Sequence, residues 1–203
     1  MAAKNSRTVT KEERKVLVNL GSGLALLEGF VNVDNFVGEV PYSGNHGTSF
    51  KKGDLRALPF EKESVDYILS NNVLEHLPMA DVPIALYEMR RVLKTGGRAV
   101  IIVPDFSWLA HMWLEMEQQR FHAIAHRWLA EEIYGNQFHE GEYHRAPMSP
   151  GYLNYVLQMC GFLNYTLTKY SANAEIPTEI PGIIKKGLHD RFRNDMIIAD
   201  IVK

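Results

Sequence analysis

The 203-residue chain has one cysteine, no long apolar run, no marked excess of either charge and no internal repeat. A lone Cys160 excludes an intramolecular disulfide framework and suits a reducing compartment. No uninterrupted apolar stretch approaches the roughly 20 residues of a membrane span. The opening MAAKNSRTVTKEERK lacks the apolar centre of a secretory signal. These absences point to a cytoplasmic protein. With 22 Lys and Arg against 24 Asp and Glu, a formal net charge of −2, bulk electrostatics gives no reason to expect nucleic acid or an anionic membrane as partner.

What is present is apolar substance. Hydrophobic residues make up 46% of the chain, enough for a sizeable core and against disorder. The length fits one domain, expected over residues 15–203 behind a polar tail at 1–14. KVLVNL, FVNVDN, SFKKGDL, SVDYILS and RAVIIVPD read as strands, the last continuous and β-branched, as in a strand buried on both faces. Asp81 is positioned to cap a helix with Pro83 in its first turn, Val82, Leu86, Met89 and Leu93 at helical spacing, and Gly96 and Gly97 as its stop. Residues 107–134 are helical in composition, as one helix or two, within a helical and loop insert at 106–148. Ser149 and Pro150 open a further helix that ends at Gly161. FLNYTLTKY and DMIIADIVK are strands with no strong helix between them.

The alternation implies an α/β fold, a Rossmann-like open sheet that is mostly parallel with an antiparallel hairpin at its C-terminal edge. In such sheets ligands bind beyond the carboxyl ends of the strands. Gly21, Ser22, Gly23, Asp34, Asp54, Asn71, Asn72 and Asp105 all fall at such ends. The glycine turn alone is weak, since such triplets also make plain turns. A dinucleotide fingerprint places its acid about 20 residues past the glycines. Here Asp34 follows Gly21 by thirteen, and Leu26 stands where a helix-packing Gly or Ala is needed. Between the first two strands only nine residues, Gly21 to Gly29, remain. Nine extended residues reach about 30 Å, and the return along a short strand needs roughly 17 Å. A tight loop with at most one helical turn therefore makes this shortened crossover.

GDLRALPFEKESVDYILSNNVLEHLP and YEMRRVLKTGGRAVIIVPD together resemble the class I S-adenosylmethionine (SAM) methyltransferases, in their type 11-like branch. The resemblance runs from about Lys15 to Asp105 and, more loosely, from Tyr134 to Phe162. It implies SAM as cofactor. It implies Gly21, Ser22 and Gly23 around the methionine part, Asp34 on the ribose, Asp54 with the Leu55 backbone at the adenine, and Asn71 and Asn72 lining the methyl-donor pocket. Ala25 in place of the third glycine of a GxGxG turn and the clipped first helix depart from the pattern. Both motivate a rival reading, a non-catalytic SAM- or nucleotide-binding scaffold.

An acceptor hydroxyl needs a base. FHEGEYHR offers His139, Glu140, Glu142, His144 and Arg145, and the resemblance favours His144; its competing role is a bond to a backbone carbonyl. His76, with Glu75 beside it, matches a position that supports the loop near the cofactor. Asp105 either faces the acceptor or caps the next segment. No metal is expected, because His139, Glu140 and His144 lack the HExxH spacing, and His122 and His126 have no further ligands nearby in sequence. Trp108, Trp113 and Trp128 read as helix packing before sugar stacking, and Lys185 to Arg193 as a charged edge before an anion site. SNNV lacks the Pro-Pro-aromatic pattern of base amino-methylases, and Cys160 is not in a Pro-Cys loop, so methylation of nucleic acid is disfavoured. The expected acceptor is a small molecule or glycan, with a sugar hydroxyl preferred on the resemblance of YGNQ…H…GF to enzymes of surface polysaccharides.

Overall fold

The computed structural model describes residues 14–23, 25–35, 49–118, 123–169 and 196–203. The tail before residue 14, the loop at 38–48, His122 and the basic run at 185–193 lie outside them. The described strands are β1 (Leu17–Leu20), β2 (Val31–Asp34), β3 (Ser49–Lys52), β4 (Val65–Asn71), β5 (Leu93–Pro104), β6 (Asn164–Lys169) and β7 (Met196–Val202). They form one sheet in the order β3-β2-β1-β4-β5-β7-β6. All pairings from β3 through to β5 are parallel, and β7 runs antiparallel to both β5 and β6. The antiparallel pairing of β6 with β7 is the hairpin expected at this edge.

Side chains alternate between two faces of the sheet. Val18, Leu20, Val33, Ile68, Ala99, Ile101, Val103, Ile197 and Ala199 share one core with α1 (Val82–Val92) and α4 (Pro150–Met159). Val82, Ala85, Leu86, Met89 and Val92 are fully buried at i, i+3, i+4, i+7 and i+10, so α1 is held by one apolar stripe. Each large side chain in it contributes about 1.5–3 kcal/mol relative to exposure. On α4, Ser149 Oγ accepts the Tyr152 N–H at 3.1 Å, and Gly161 follows at φ 80°, so both expected ends are found. Leu27, Tyr67, Leu69, Val100, Ile102, Met196 and Ile198 form a second cluster on the other face.

The short crossover replaces helix packing with side-chain amides. Asn19 and Asn32, opposite each other on β1 and β2, are buried. Asn32 Oδ1 accepts from Asn19 Nδ2 and from the Leu27 N–H, both at 2.9 Å. Asn32 Nδ2 donates to the Leu27 and Ser49 carbonyls at 3.1 Å, and Asn19 Nδ2 to the Ala25 carbonyl at 3.0 Å. The Leu27 N–H and carbonyl and the Ala25 carbonyl are thereby satisfied by side-chain amides.

Two expectations need correction, and one open alternative is decided. Helix α1 ends at Val92, before Gly96 and Gly97, because Leu93 turns extended (ψ 134°) to pair with Val65; the glycines lie within β5, where Gly96 donates to the Lys203 carbonyl. Asp81 precedes α1 but makes no side-chain cap, since its carboxylate meets Arg56 at 3.1 Å instead. The stretch at 107–134 is two helices, α2 (Phe106–Gln118) and α3 (Ala123–Tyr134). They pack through the edge-to-face pair Trp108–Trp128, as helix packing predicts. Among the described residues no helix is long and apolar enough to cross a membrane.

Candidate functional site

The carboxyl ends of β1 to β4 form a continuous rim. Gly21 and Gly23 adopt φ 60° and 47°, the left-handed region that side chains resist. A Cβ on Gly21 would stand 2.5 Å from a methyl carbon of Val73, so this glycine also lets the turn close onto the segment after β4. At Gly23 nothing among the described residues lies within 4 Å of that position. The Gly23 N–H donates to Asp34 Oδ2 at 2.8 Å, which joins the glycine turn to the acid at the neighbouring strand end. The Asp34 carbonyl in turn accepts from the Gly53 N–H at 3.0 Å, one residue before Asp54.

Asp54 sits on the rim, but its carboxylate closes its own turn. It accepts the Arg56 backbone N–H at 2.9 Å and pairs with the Arg56 guanidinium at 2.6 Å. The side-chain bond to Arg56 holds the Asp54 carboxyl below its usual range. Leu55 beside it is buried. The turn is anchored from α1: Glu88 accepts the Leu58 N–H at 2.8 Å, and Arg91 donates to the Leu58 and Phe60 carbonyls.

Asn71 ends β4, and Asn72 follows at φ 54° with its N–H on the Ile102 carbonyl. Ser22 Oγ, Ser70 Oγ and Asn72 Oδ1 are buried, with no hydrogen-bond partner among the described residues. Buried polar groups in that condition are uncommon and point to a ligand or water that completes them.

Beyond β4 lies a cavity of about 170 Å³ whose wall includes Glu75, Phe106, Glu132, Tyr134, His144 and Arg145. Glu75, 2% exposed, lies in the 3₁₀ turn Leu74–His76. Its carbonyl accepts the Arg145 and Ala146 N–H groups at 2.6 and 3.1 Å, which fastens the 143–146 segment to the end of the sheet. His144 Nδ1 lies 2.9 Å from the Glu132 carbonyl, and His76 Nδ1 3.2 Å from the Tyr143 carbonyl. The two rings meet edge to face, their centroids 4.8 Å apart. Burial foremost, and then the neighbouring His144, pushes the His76 imidazole down to about 4, so it is neutral at neutral pH.

Other candidates are placed elsewhere. Asp105 is fully buried; its Oδ1 caps α2 through the Ser107 and Trp108 N–H groups, and its Oδ2 lies 2.9 Å from Lys169 Nζ. Of its two expected roles the structure supplies the cap. His139, Glu140 and Glu142 bond within their own exposed turn and to Arg145. Trp113 packs on His126, which also meets Glu117 at 3.6 Å. Burial pushes the Cys160 thiol up to about 11, which makes it inert as a nucleophile. Sequence reading passed over Asn19, Asn32, Glu88 and Arg91, all of which position the rim. The available signal was polar residues within otherwise apolar strand and helix patterns.

Residues 30–101 match the family model described as a methyltransferase domain. The demethylmenaquinone methyltransferase of Staphylococcus carnosus is 39% identical over 66 residues, which are 32% of this chain and 27% of that protein. The chain spans between 9 and 27% of the length of the first curated relatives it matches. A chain of the Haloferax volcanii complex between the Trm112 methyltransferase activator and a methyltransferase superposes with a TM-score of 0.59 at 21% identity, covering 94% of this chain and 83% of that one. A SAM-dependent methyltransferase from Mesorhizobium loti gives 0.58 at 16% identity, covering 96% and 94%. These likenesses show the fold. Residues 30–101 are thus similar to a methyltransferase domain, and the described chain has the fold of these methyltransferase structures.

Proposed function

We propose that the chain binds SAM along the carboxyl ends of β1 to β4 and methylates a hydroxyl of a small molecule or glycan held in the adjoining cavity. The carrying observation is the Gly23 N–H on Asp34 at 2.8 Å, which joins the glycine turn to the acid at the neighbouring strand end. The rim fits the cofactor. Gly23 is open to close approach, Asp34 presents a carboxylate suited to a ribose diol, and Ser22, Ser70 and Asn72 offer buried polar atoms with no partner among the described residues. Gly21, Ser22 and Gly23 would hold the methionine part, Asp34 the ribose, Asp54 and the Leu55 backbone the adenine, and Asn71 and Asn72 the methyl-donor side.

SAM supplies a methyl group on a positively charged sulfur, so the leaving group needs no protonation. The chain's own work is to align the acceptor, exclude water and take up a proton. The acceptor proton leaves at the cluster of Glu75, His76 and His144, of which His144 and Glu75 stand on the cavity wall. The carbonyl contact at His144 Nδ1 favours the tautomer with a lone pair on Nε2. Phe106 and Tyr134 give the cavity flat apolar surface, and Glu132 and Arg145 give it polar edges, a mixture suited to a sugar ring. Asp105 takes no part in the chemistry.

Calorimetric titration with SAM and with its demethylated product tests the first half. Binding is expected, and Asp34→Ala should weaken it by about tenfold or more, the loss of a charge-assisted contact worth ~1.5–3 kcal/mol. Transfer from methyl-labelled SAM to pooled sugars and small hydroxyl compounds tests the second. Binding without transfer to any of them would favour a binding protein, and no binding at all a scaffold.

A further inference from the structure

We infer that Glu75, His76 and His144 form a binding site for one divalent transition-metal ion of the zinc type. One ligand atom from each of the three lies within 4.8 Å of the others, although His144 is 68 positions from His76 in sequence. Ligands with bonds of about 2.05 Å around a tetrahedral ion stand ~3.3 Å apart, so closing the trio takes a shift of about 1.5 Å at most, within reach of small side-chain rotations. Two imidazoles and one carboxylate are a donor set of catalytic zinc sites, which keep a fourth position open. Nitrogen donors favour zinc or cobalt over magnesium and calcium, which take oxygen.

The surroundings agree. Metal-bound histidines give their second ring nitrogen to a carbonyl or carboxylate, and here His76 Nδ1 faces the Tyr143 carbonyl and His144 Nδ1 the Glu132 carbonyl. Glu75 places a carboxylate in a nearly fully buried position against these rings, where a cation offsets the cost of its charge. Its backbone carbonyl clamps Arg145 and Ala146, so the two halves of the trio are held together before any ion arrives. Glu75 and His144 line the cavity, which supplies an entry path and an open coordination position. With the ion bound, the trio's lone pairs hold the metal, which would take over the proton step by lowering the pKa of an acceptor hydroxyl that then loses its proton to water; that use rests on the proposed function, and the binding does not.

The test uses the full chain without a polyhistidine tag, stripped with a chelator and titrated with zinc by calorimetry and with cobalt(II) by visible absorption. One saturable site per chain is expected, with magnesium failing to compete. His76→Ala and His144→Ala should each weaken zinc binding at least ~100-fold, more than the loss of an outer-shell partner, whereas His139→Ala, outside the trio, should leave it unchanged. If a variant does not fold, X-ray absorption on the zinc-loaded wild type decides, with two imidazoles supporting the site. No zinc uptake, uptake indifferent to His76 and His144, or a shell without histidine would overturn it. SAM binding measured on the stripped chain reports the cofactor rim separately, so the two readings fail independently.

Discussion

Asn19 and Asn32 face each other across β1 and β2, and the Asn19 amide donates to the Asn32 side-chain carbonyl at 2.9 Å. Around this pair the loop that replaces the first helix is tied at Leu27 and Ala25, and the edge is tied at Ser49. The glycine turn and Asp34 sit at the two ends of the strands so joined. Two buried amides therefore do in this chain what a packed helix would do with apolar area: they fix the distance from Gly23 to Asp34.

Asn32→Leu keeps the volume and removes the bonds to Asn19, Leu27 and Ser49, leaving that of Asn19 to Ala25. It strands the Leu27 N–H and carbonyl and the Ser49 carbonyl, at roughly 1–3 kcal/mol for each group that water cannot reach. A loss of about 2–4 kcal/mol in urea unfolding is expected, together with weaker SAM binding. An unchanged urea midpoint would show that the loop is held by something other than these amides.

Gly21 and Gly23 separate fold from site. Gly21→Ala combines a left-handed backbone, costing ~1–2 kcal/mol, with overlap on Val73. Combining it with Val73→Ala should recover part of that loss, read as a coupling energy in a double-mutant cycle. Gly23→Ala carries the backbone cost but no overlap, so it should unfold more easily by only ~1 kcal/mol. Its larger effect should be on SAM affinity. Equal thermal shifts from both would contradict the packing account.

Strand ends were legible in the sequence because apolar runs break at Gly21, Asp34, Asp54 and Asn71, and a buried strand cannot leave a charge unpaired. Helix α1 was legible from the spacing of Val82, Leu86 and Met89. Its end was not: Leu93 turns extended to pair with Val65, a partner 28 positions earlier, and Gly96 and Gly97 only look like a stop. The Asp81 cap failed for the same kind of reason, since Arg56 competes for its carboxylate. The trio Glu75, His76 and His144 was hidden because no spacing rule joins residues brought together only by the sheet.

Asp54 carries a testable ambiguity between turn and cofactor. If it serves only its turn, Asp54→Ala lowers stability and leaves SAM affinity alone. The expectation from the proposed function is a SAM affinity about tenfold lower, from the loss of a charge-assisted bond of ~1.5 kcal/mol. Arg56→Ala, which frees the carboxylate from its exposed partner, should bind SAM at least as well as the wild type. Calorimetry on the two variants side by side distinguishes the roles, and a SAM affinity unchanged by Asp54→Ala would assign the carboxylate to the turn alone.

Glu88 links the turn after Asp54 to pH. Its carboxylate accepts from Arg91 and from the Leu58 N–H, and the Arg91 bond foremost holds its pKa below the ordinary 4.5. The folded chain therefore binds this proton less readily than the unfolded chain. The stabilisation is complete above about pH 4.5 and is lost as pH falls through the lower folded value. Glu88→Gln should thus be less stable by about 1 kcal/mol at pH 7, a figure reduced for the partly exposed Arg91. Urea midpoints taken across the acid range should show the gap between variant and wild type narrowing as pH falls below about 4.5. A gap of constant size would mean that shape at Leu58, and not charge, is what Glu88 contributes.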